Sequence, residues 1–365
     1  MSEAKKIKEP LIRIAKRTEL TKKQTLLLRF GSVLLAIVAG GLFILAIGTN
    51  PFDAYATIIS GAFRSTMAIQ GTVKICIPLL ISALGITLAF KMKFWNIGAE
   101  GQIIMGAIFA SYFALFHSDM PHWLLLTVMF LFGALGGGLW GLIPAFFKAK
   151  FGTNETLFTL MLNYIALDLI VFLRDGPWAD PESGGYPKIA RFDKNAQLDQ
   201  VFGIQSGWIV AIIIAIFVFI YLKFTKSGYE ISVVSESHAT ARYAGMNPKK
   251  IMLKTMFLSG AICGIGGMVQ ATGSDMTLAT SVAGGVGFTA IIVAWLAKLN
   301  PFGIVVVSFL FAILEKGSSV LQSNFGLSSY CSDVLQGIIL FFVLACEFFI
   351  RYKFIMRKKN KEVAE

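Results

Sequence analysis

Three polar side chains that apolar, membrane-type sequence seldom carries fall close together in Phe94-Trp95-Asn96-Ile97-Gly98-Ala99-Glu100-Gly101-Gln102. The stretch is wedged between apolar runs at 72–90 and 103–116. Asn96, Glu100 and Gln102 are costly in such surroundings and are usually kept there for a function. Gly98 and Gly101 allow backbone that is not plain helix and let another chain segment approach closely. Asn163 and Asp168 raise the same question inside the apolar run that follows Asn154-Glu155. Asn163 reads either as a helix-packing hydrogen bond or as a pathway-lining group.

Other chemistries find little support. Gly136-Gly137-Gly138-Leu139-Trp140-Gly141 formally matches GxGxxG, but no strand precedes it, so a dinucleotide site is not expected. Gly133, Gly137 and Gly141, four apart, predict close helix packing instead. No GxxxxGK[ST] loop is present, so the chain is not expected to cradle ATP phosphates itself. His117 and His122 lack a third ligand, and no metal site is expected. Cys76, Cys263, Cys331 and Cys346 lie in or beside apolar runs and read as small buried hydrophobes. No Ser/His/Asp or paired-carboxylate arrangement stands out, so neither a catalytic residue nor a cofactor is expected.

The elements that must position the polar stretch are membrane spans. With 56% hydrophobic and only 15% charged residues in 365, and a mean hydropathy of +0.70, a soluble globular protein is excluded. Ten apolar runs are legible, near residues 30–47, 72–90, 102–116, 123–147, 155–174, 208–224, 251–271, 284–297, 302–314 and 334–350. Residues 52–70 are spaced as in a short interfacial helix. Of the 33 Lys and Arg, 26 fall on the side holding both termini and 7 on the other. The net charge of +12 is therefore a positive-inside bias, which places both termini in the cytoplasm and offers no reason to expect nucleic acid. The fold class expected is an all-α polytopic membrane protein of about ten helices. Residues 1–29 and 351–365 form basic cytoplasmic tails beside lipid, and 30–350 form the membrane domain, with an external loop at 175–205 and a cytoplasmic loop at 225–250. The basic N-terminal stretch does not read as a signal peptide, and the first span is expected to stay as an anchor. Glycine-rich openings at Gly98–Gly101 and Gly284-Gly285-Val286-Gly287 could mark corresponding points of an internal repeat around a central pathway.

The 225–250 loop reads as a docking element. Ser237 caps a helix running His238-Ala239-Thr240-Ala241-Arg242-Tyr243-Ala244, Gly245 stops it, and Pro248 lies beyond. An alanine-rich face with one aromatic suits insertion into a partner's groove.

Motifs in this loop and elsewhere resemble a known family. Asn96-Ile97-Gly98-Ala99-Glu100-Gly101-Gln102, Asn154-Glu155 with Met161-Leu162-Asn163-Tyr164-Ile165-Ala166, Ala241-Arg242-Tyr243-Ala244-Gly245-Met246, and Gly284-Gly285-Val286-Gly287-Phe288 through Asn300-Pro301 occur in the order seen in ABC importer permeases of the ribose and nucleoside branch. The resemblance implies a cobalamin- and ribose-permease-like (type II importer) fold in a bacterial cell membrane. It also implies a separate ABC ATPase subunit that binds the ATP, a second and shorter permease, an extracytoplasmic binding lipoprotein, and a small-molecule cargo, nucleoside in first place and ribose-type sugar in second. The 237–245 helix becomes the coupling helix, with Glu230, Ser237, Ala239, Arg242, Tyr243 and Gly245 as its contact set. Ahead of it, Ser232 and Ser235-Glu236-Ser237-His238 stand where the family usually has an Arg and a Gly-x-Asn-Pro turn. Asn96, Glu100, Gln102 and Asn163 become polar residues of the pathway or subunit interface, Glu100 being more readily locked in hydrogen bonds than in contact with cargo. A secondary transporter using Asp168, Glu100 and Glu315 as ion sites is the reading that would need no ATPase.

Overall fold

The computed structural model describes residues 12–16, 21–328 and 330–356. Thirteen helices are seen among them: α1 (Lys22–Ala46), α2 (Pro51–Phe63), α3 (Thr66–Lys91), α4 (Ala99–Phe116), α5 (His122–Phe151), α6 (Glu155–Asp175), α7 (Gly207–Phe224), α8 (Lys226–Glu236), α9 (His238–Tyr243), α10 (Pro248–Gln270), α11 (Val286–Leu296), α12 (Pro301–Phe325) and α13 (Cys331–Arg351). Seven are long and apolar enough to cross a membrane, namely α3 to α7, α10 with the turn after it, and α12, or up to eight if the broken pair α1 and α2 is one span.

Each expected span falls on a helix, and of the ten crossings expected seven or eight are supported among the described residues. The eighth run forms only the 11 residues of α11. At about 1.5 Å per residue it reaches roughly 16 Å, half of a hydrocarbon core about 30 Å thick. Its start is cut short because Gly284 and Gly285 take left-handed backbone, with φ of +50° and +82°. The ninth run is longer than expected, since α12 continues past Glu315 and Lys316. Where a short interfacial helix is expected, at 52–70, the chain forms α2 and the start of α3, and α2 bends by 109° from α1. The turn expected after residue 271 begins as a wide π-helical turn, Ala271–Asp275.

The chain is not wholly helical. Strand β1 (Ile12–Lys16) pairs antiparallel with β4 (Tyr352–Met356), and β2 (Gln200–Val201) with β3 (Ile204–Gln205). Helix α1 begins at Lys22, inside the stretch read as a basic tail; the rest of the two tails lies largely outside the described residues.

The chain forms two compact units, Thr57–Val320 and the segments before and after it. In the first unit, α3, α4 and α10 are buried on nearly every face. Side-chain-free contacts make this possible. A Cβ added at Gly137 would lie 2.6 Å from Gly264 Cα, one at Gly141 2.7 Å from Met256 O, and one at Gly133 2.9 Å from Met268 Cβ. The glycine row in α5 is thus a packing seam against α10, as its four-residue spacing predicts, and the GxGxxG match lies within a continuous helix.

Candidate functional site: a polar knot and an exposed helix

Helix α4 opens without a side-chain cap of its own, because Gly98 precedes it. Two asparagines supply what is missing. Asn96 Oδ1 accepts from Gly98 N at 2.9 Å, and Asn163 Oδ1, reaching across from α6, accepts from Gly101 N at 2.9 Å. Asn163 Nδ2 in turn donates to Ile97 O at 2.9 Å, and Ile97 N donates to Thr159 Oγ1 at 3.1 Å. Asn96 Nδ2 donates to Gln102 Oε1 at 3.2 Å, one turn further along. Asn96, Gln102, Thr159 and Asn163 are all buried, so their amides and hydroxyl hold backbone that would otherwise be unpaired.

Glu100 faces the other way. Its Oε1 accepts from Gly285 N and its Oε2 from Gly287 N, each at 2.7 Å. The carboxylate therefore caps α11, pairing two of its free N–H groups and setting a negative charge at the positive end of the helix. The two glycine-rich openings meet here, and a side chain at Gly287 would run into Glu100. This is the locked state expected for Glu100, with both carboxylate oxygens engaged. Beside the knot, Trp95 stacks on Trp295 of α11 at 5.6 Å, with Phe90 5.8 Å from each.

Sequence reasoning finds four of the five polar members of the knot and misses Thr159. The signal was its place between Asn154-Glu155 and Asn163, four residues before the latter. At the start of the same helix Asn154 caps Thr156 N and Leu157 N, and Glu155 pairs with Lys148 at 2.7 Å, which pins α6 to the end of α5. Changing Asn163 to leucine should lower stability by about 2–4 kcal/mol, because Gly101 N–H and Ile97 C=O would both be left buried and unpaired. Changing it to aspartate keeps the acceptor and should cost less. The thermal midpoint of purified protein in detergent checks both, and equal midpoints for the two variants would refute the acceptor's share.

At the end of the first unit shared by Lys91, Lys148 and α8, a short helix, α9, follows Ser237 as expected. Ser237 Oγ accepts from Thr240 N at 3.2 Å, and Gly245, with φ of +75°, stops the helix. A Gly-x-Asn-Pro sequence does occur, but behind the helix, as Gly245-Met246-Asn247-Pro248, where Asn247 Oδ1 caps Lys250 N at 3.2 Å. Ala241 is fully buried in a cluster with Ala89, Met92, Phe94, Ala145, Ile231, Val234 and Ile251. Ala239, Arg242, Tyr243 and Gly245 are exposed, Tyr243 by 96%. Glu230 lies nearby on α8, 3.9 Å from Lys226, and together with Gly245 lines a groove of ≈ 580 Å³.

The ring nitrogens of His122 meet Asn195 O at 2.8 Å and Asp199 Oδ2 at 3.1 Å. No group of three metal-ligating side chains occurs among the described residues.

Residues 67–344 match the sequence profile of the family described as branched-chain amino acid transport system / permease component. The chain belongs to this permease family. It is a multi-pass membrane protein. This permease is 30% identical to the glucose ABC transporter permease protein of Haloferax volcanii, with 88% of each chain covered. It is 29% identical to the guanosine ABC transporter permease protein of Bacillus subtilis, covering 91% of this chain and 96% of that one. To the nucleoside ABC transporter permease protein of Lactococcus lactis it is also 29% identical, covering 94% and 96%.

Proposed function

We propose that this permease is the membrane-spanning subunit of an ATP-driven, binding-protein-dependent importer of nucleosides, coupled to a separate ATPase through α9. The reading rests above all on Tyr243: an aromatic ring 96% exposed, on a helix whose opposite side is anchored through Ala241. An exposed ring on a rigid mount is a contact waiting for a partner rather than a solvated loop. Lys91, Lys148, Lys150, Lys226, Lys249, Lys250 and Lys254 gather at the same end, which the positive-inside bias assigns to the cytoplasm, where an ATPase would sit. Two such permeases, the second a shorter one, would enclose the path. An extracytoplasmic binding lipoprotein would dock at the opposite end, near 175–205. ATP-driven movement of the docked α9 helices would rock the spans between two states. Glu100 supports this over ion-coupled transport, since both its oxygens are held by backbone N–H groups.

Nucleoside is preferred because two relatives, matched over nearly their whole length, carry that name. The haloarchaeal relative favours a second reading, sugar import. Proteoliposomes holding the complete transporter decide between them by ATP-dependent uptake of labelled guanosine against labelled glucose. In the same system Tyr243→Glu should cut uptake at least about tenfold, the loss expected when a contact hot spot of 2 kcal/mol or more is removed. Wild-type uptake by this variant would overturn the coupling role.

A further inference from the structure

Helix α6 carries its polar residues on two opposite faces. Thr159, Leu162, Asn163, Ala166 and Ile170 are buried against the first unit's core. Met161, Tyr164, Ile165, Asp168 and Phe172 are exposed, and spacings of three and four residues put them on one face. Asp168 has no hydrogen-bond or ion-pair partner among the described residues. It lies seven residues before the helix ends at Asp175, about 10 Å along the axis. An aspartate is too short to reach the interface from that depth, and a charged side chain inside a membrane almost always faces a water-filled cavity or an opposite charge.

We propose that the Tyr164–Asp168 face of α6 lines the aqueous path and that Asp168 is a cargo-binding residue whose carboxylate accepts hydrogen bonds from a vicinal diol of the cargo. A carboxylate accepts through both oxygens, and O–H···O⁻ bonds are among the strongest neutral-to-charged pairs. Adjacent hydroxyls are common to ribonucleosides and to glucose, so one acidic side chain serves either cargo, while the exposed Tyr164 ring offers a flat surface for the remainder. Nothing charged on the cargo is required. The assignment rests on the importer reading but concerns a different helix and a different step from α9.

The test uses the assembled transporter in proteoliposomes. With guanosine, Asp168→Asn should lower uptake roughly tenfold or more, the usual worth of a hydrogen bond to a charged group. With 2′,3′-dideoxyguanosine the variant should match the wild type, and glucose uptake, if the wild type shows it, should fall with guanosine. Equal losses for guanosine and its dideoxy analogue would overturn the proposal and mark Asp168 as an ion relay. Failure of the variant to assemble with the second permease would overturn it in favour of an interfacial ion pair. If the wild type imports neither cargo, the importer reading fails, and the path-lining claim is then decided by labelling alone. Asp168→Cys should react with a membrane-impermeant maleimide and Ala166→Cys should not; the four native cysteines are buried and unbridged. No reaction at position 168 would place that face against lipid and refute the assignment.

Discussion

Replacing Gly264 with leucine should abolish the folded protein. Helix α10 crosses α4 and α5 at this residue, where a Cβ would collide with Gly133 O and lie 2.9 Å from Gly137 Cα. On the other side Gly106 would meet Gly264 backbone in the same way. The obstructing atoms are main chain, so no rotamer change can make room, and the helices would have to separate along a seam that is buried throughout. Overpacking where side chains can adjust costs about 1–3 kcal/mol, and here they cannot. A loss of about 5 kcal/mol would consume most of the margin of an ordinary protein. The expected readout is loss of the monodisperse peak in detergent size-exclusion chromatography. Gly337→Leu is the control, since nothing lies within 4 Å of a Cβ at that position. A Gly264→Leu protein that purifies and melts like the wild type would refute the seam.

The second large effect belongs to Glu100. Removing its carboxylate with alanine withdraws both acceptors from Gly285 N–H and Gly287 N–H at the start of α11. Hydrogen bonds to a charged group are worth about 1.5–3 kcal/mol each. Part of that is returned because a partly buried charge no longer needs desolvating, so a net loss of about 3 kcal/mol is expected. Glutamine should fare little better, as its NH2 would confront one of the two donors. The effect should be local. Hydrogen exchange read by mass spectrometry should accelerate over 286–296 and stay unchanged over the middle of α10. Unaltered protection of α11 in Glu100→Ala would show that something other than the carboxylate holds it.

The features that were legible in sequence share one property: they interrupt a pattern. Asn96, Glu100, Gln102 and Asn163 stand out because apolar surroundings make them expensive, and the Ser237 cap and Gly245 stop stand out because they bracket a short polar helix. What stayed hidden needed distance or phase. Glu100 and its two partners are 185 and 187 residues apart, and no local rule links them. The shortness of α11 was masked because residues 284–297 are apolar whether or not they are helical, and left-handed backbone at Gly284 and Gly285 decides where the helix starts. Thr159 does not stand out, because a threonine in a membrane helix usually satisfies itself on the preceding turn, as its bond to Glu155 O at 2.8 Å does here, while also accepting from Ile97. For Asp168 the residue type was conspicuous, but only the packed helix shows that it turns away from Asn163.

The cluster that anchors Ala241 has a mechanical consequence. It joins α9 and α8 to Met92 and Phe94 at the end of α3, and Phe94 is two residues from Asn96. Packed interiors are as dense as organic crystals and compress little. A displacement imposed at Tyr243 would therefore be handed on almost undiminished to the start of the knot. From Asn96 the stiffness continues through Asn163 into α6 and through Glu100 into α11, by hydrogen bonds of 2.7 to 2.9 Å. A push delivered at α9 would thus reach α6 and α11 by a short, rigid lever, whose far arm on α6 carries Asp168.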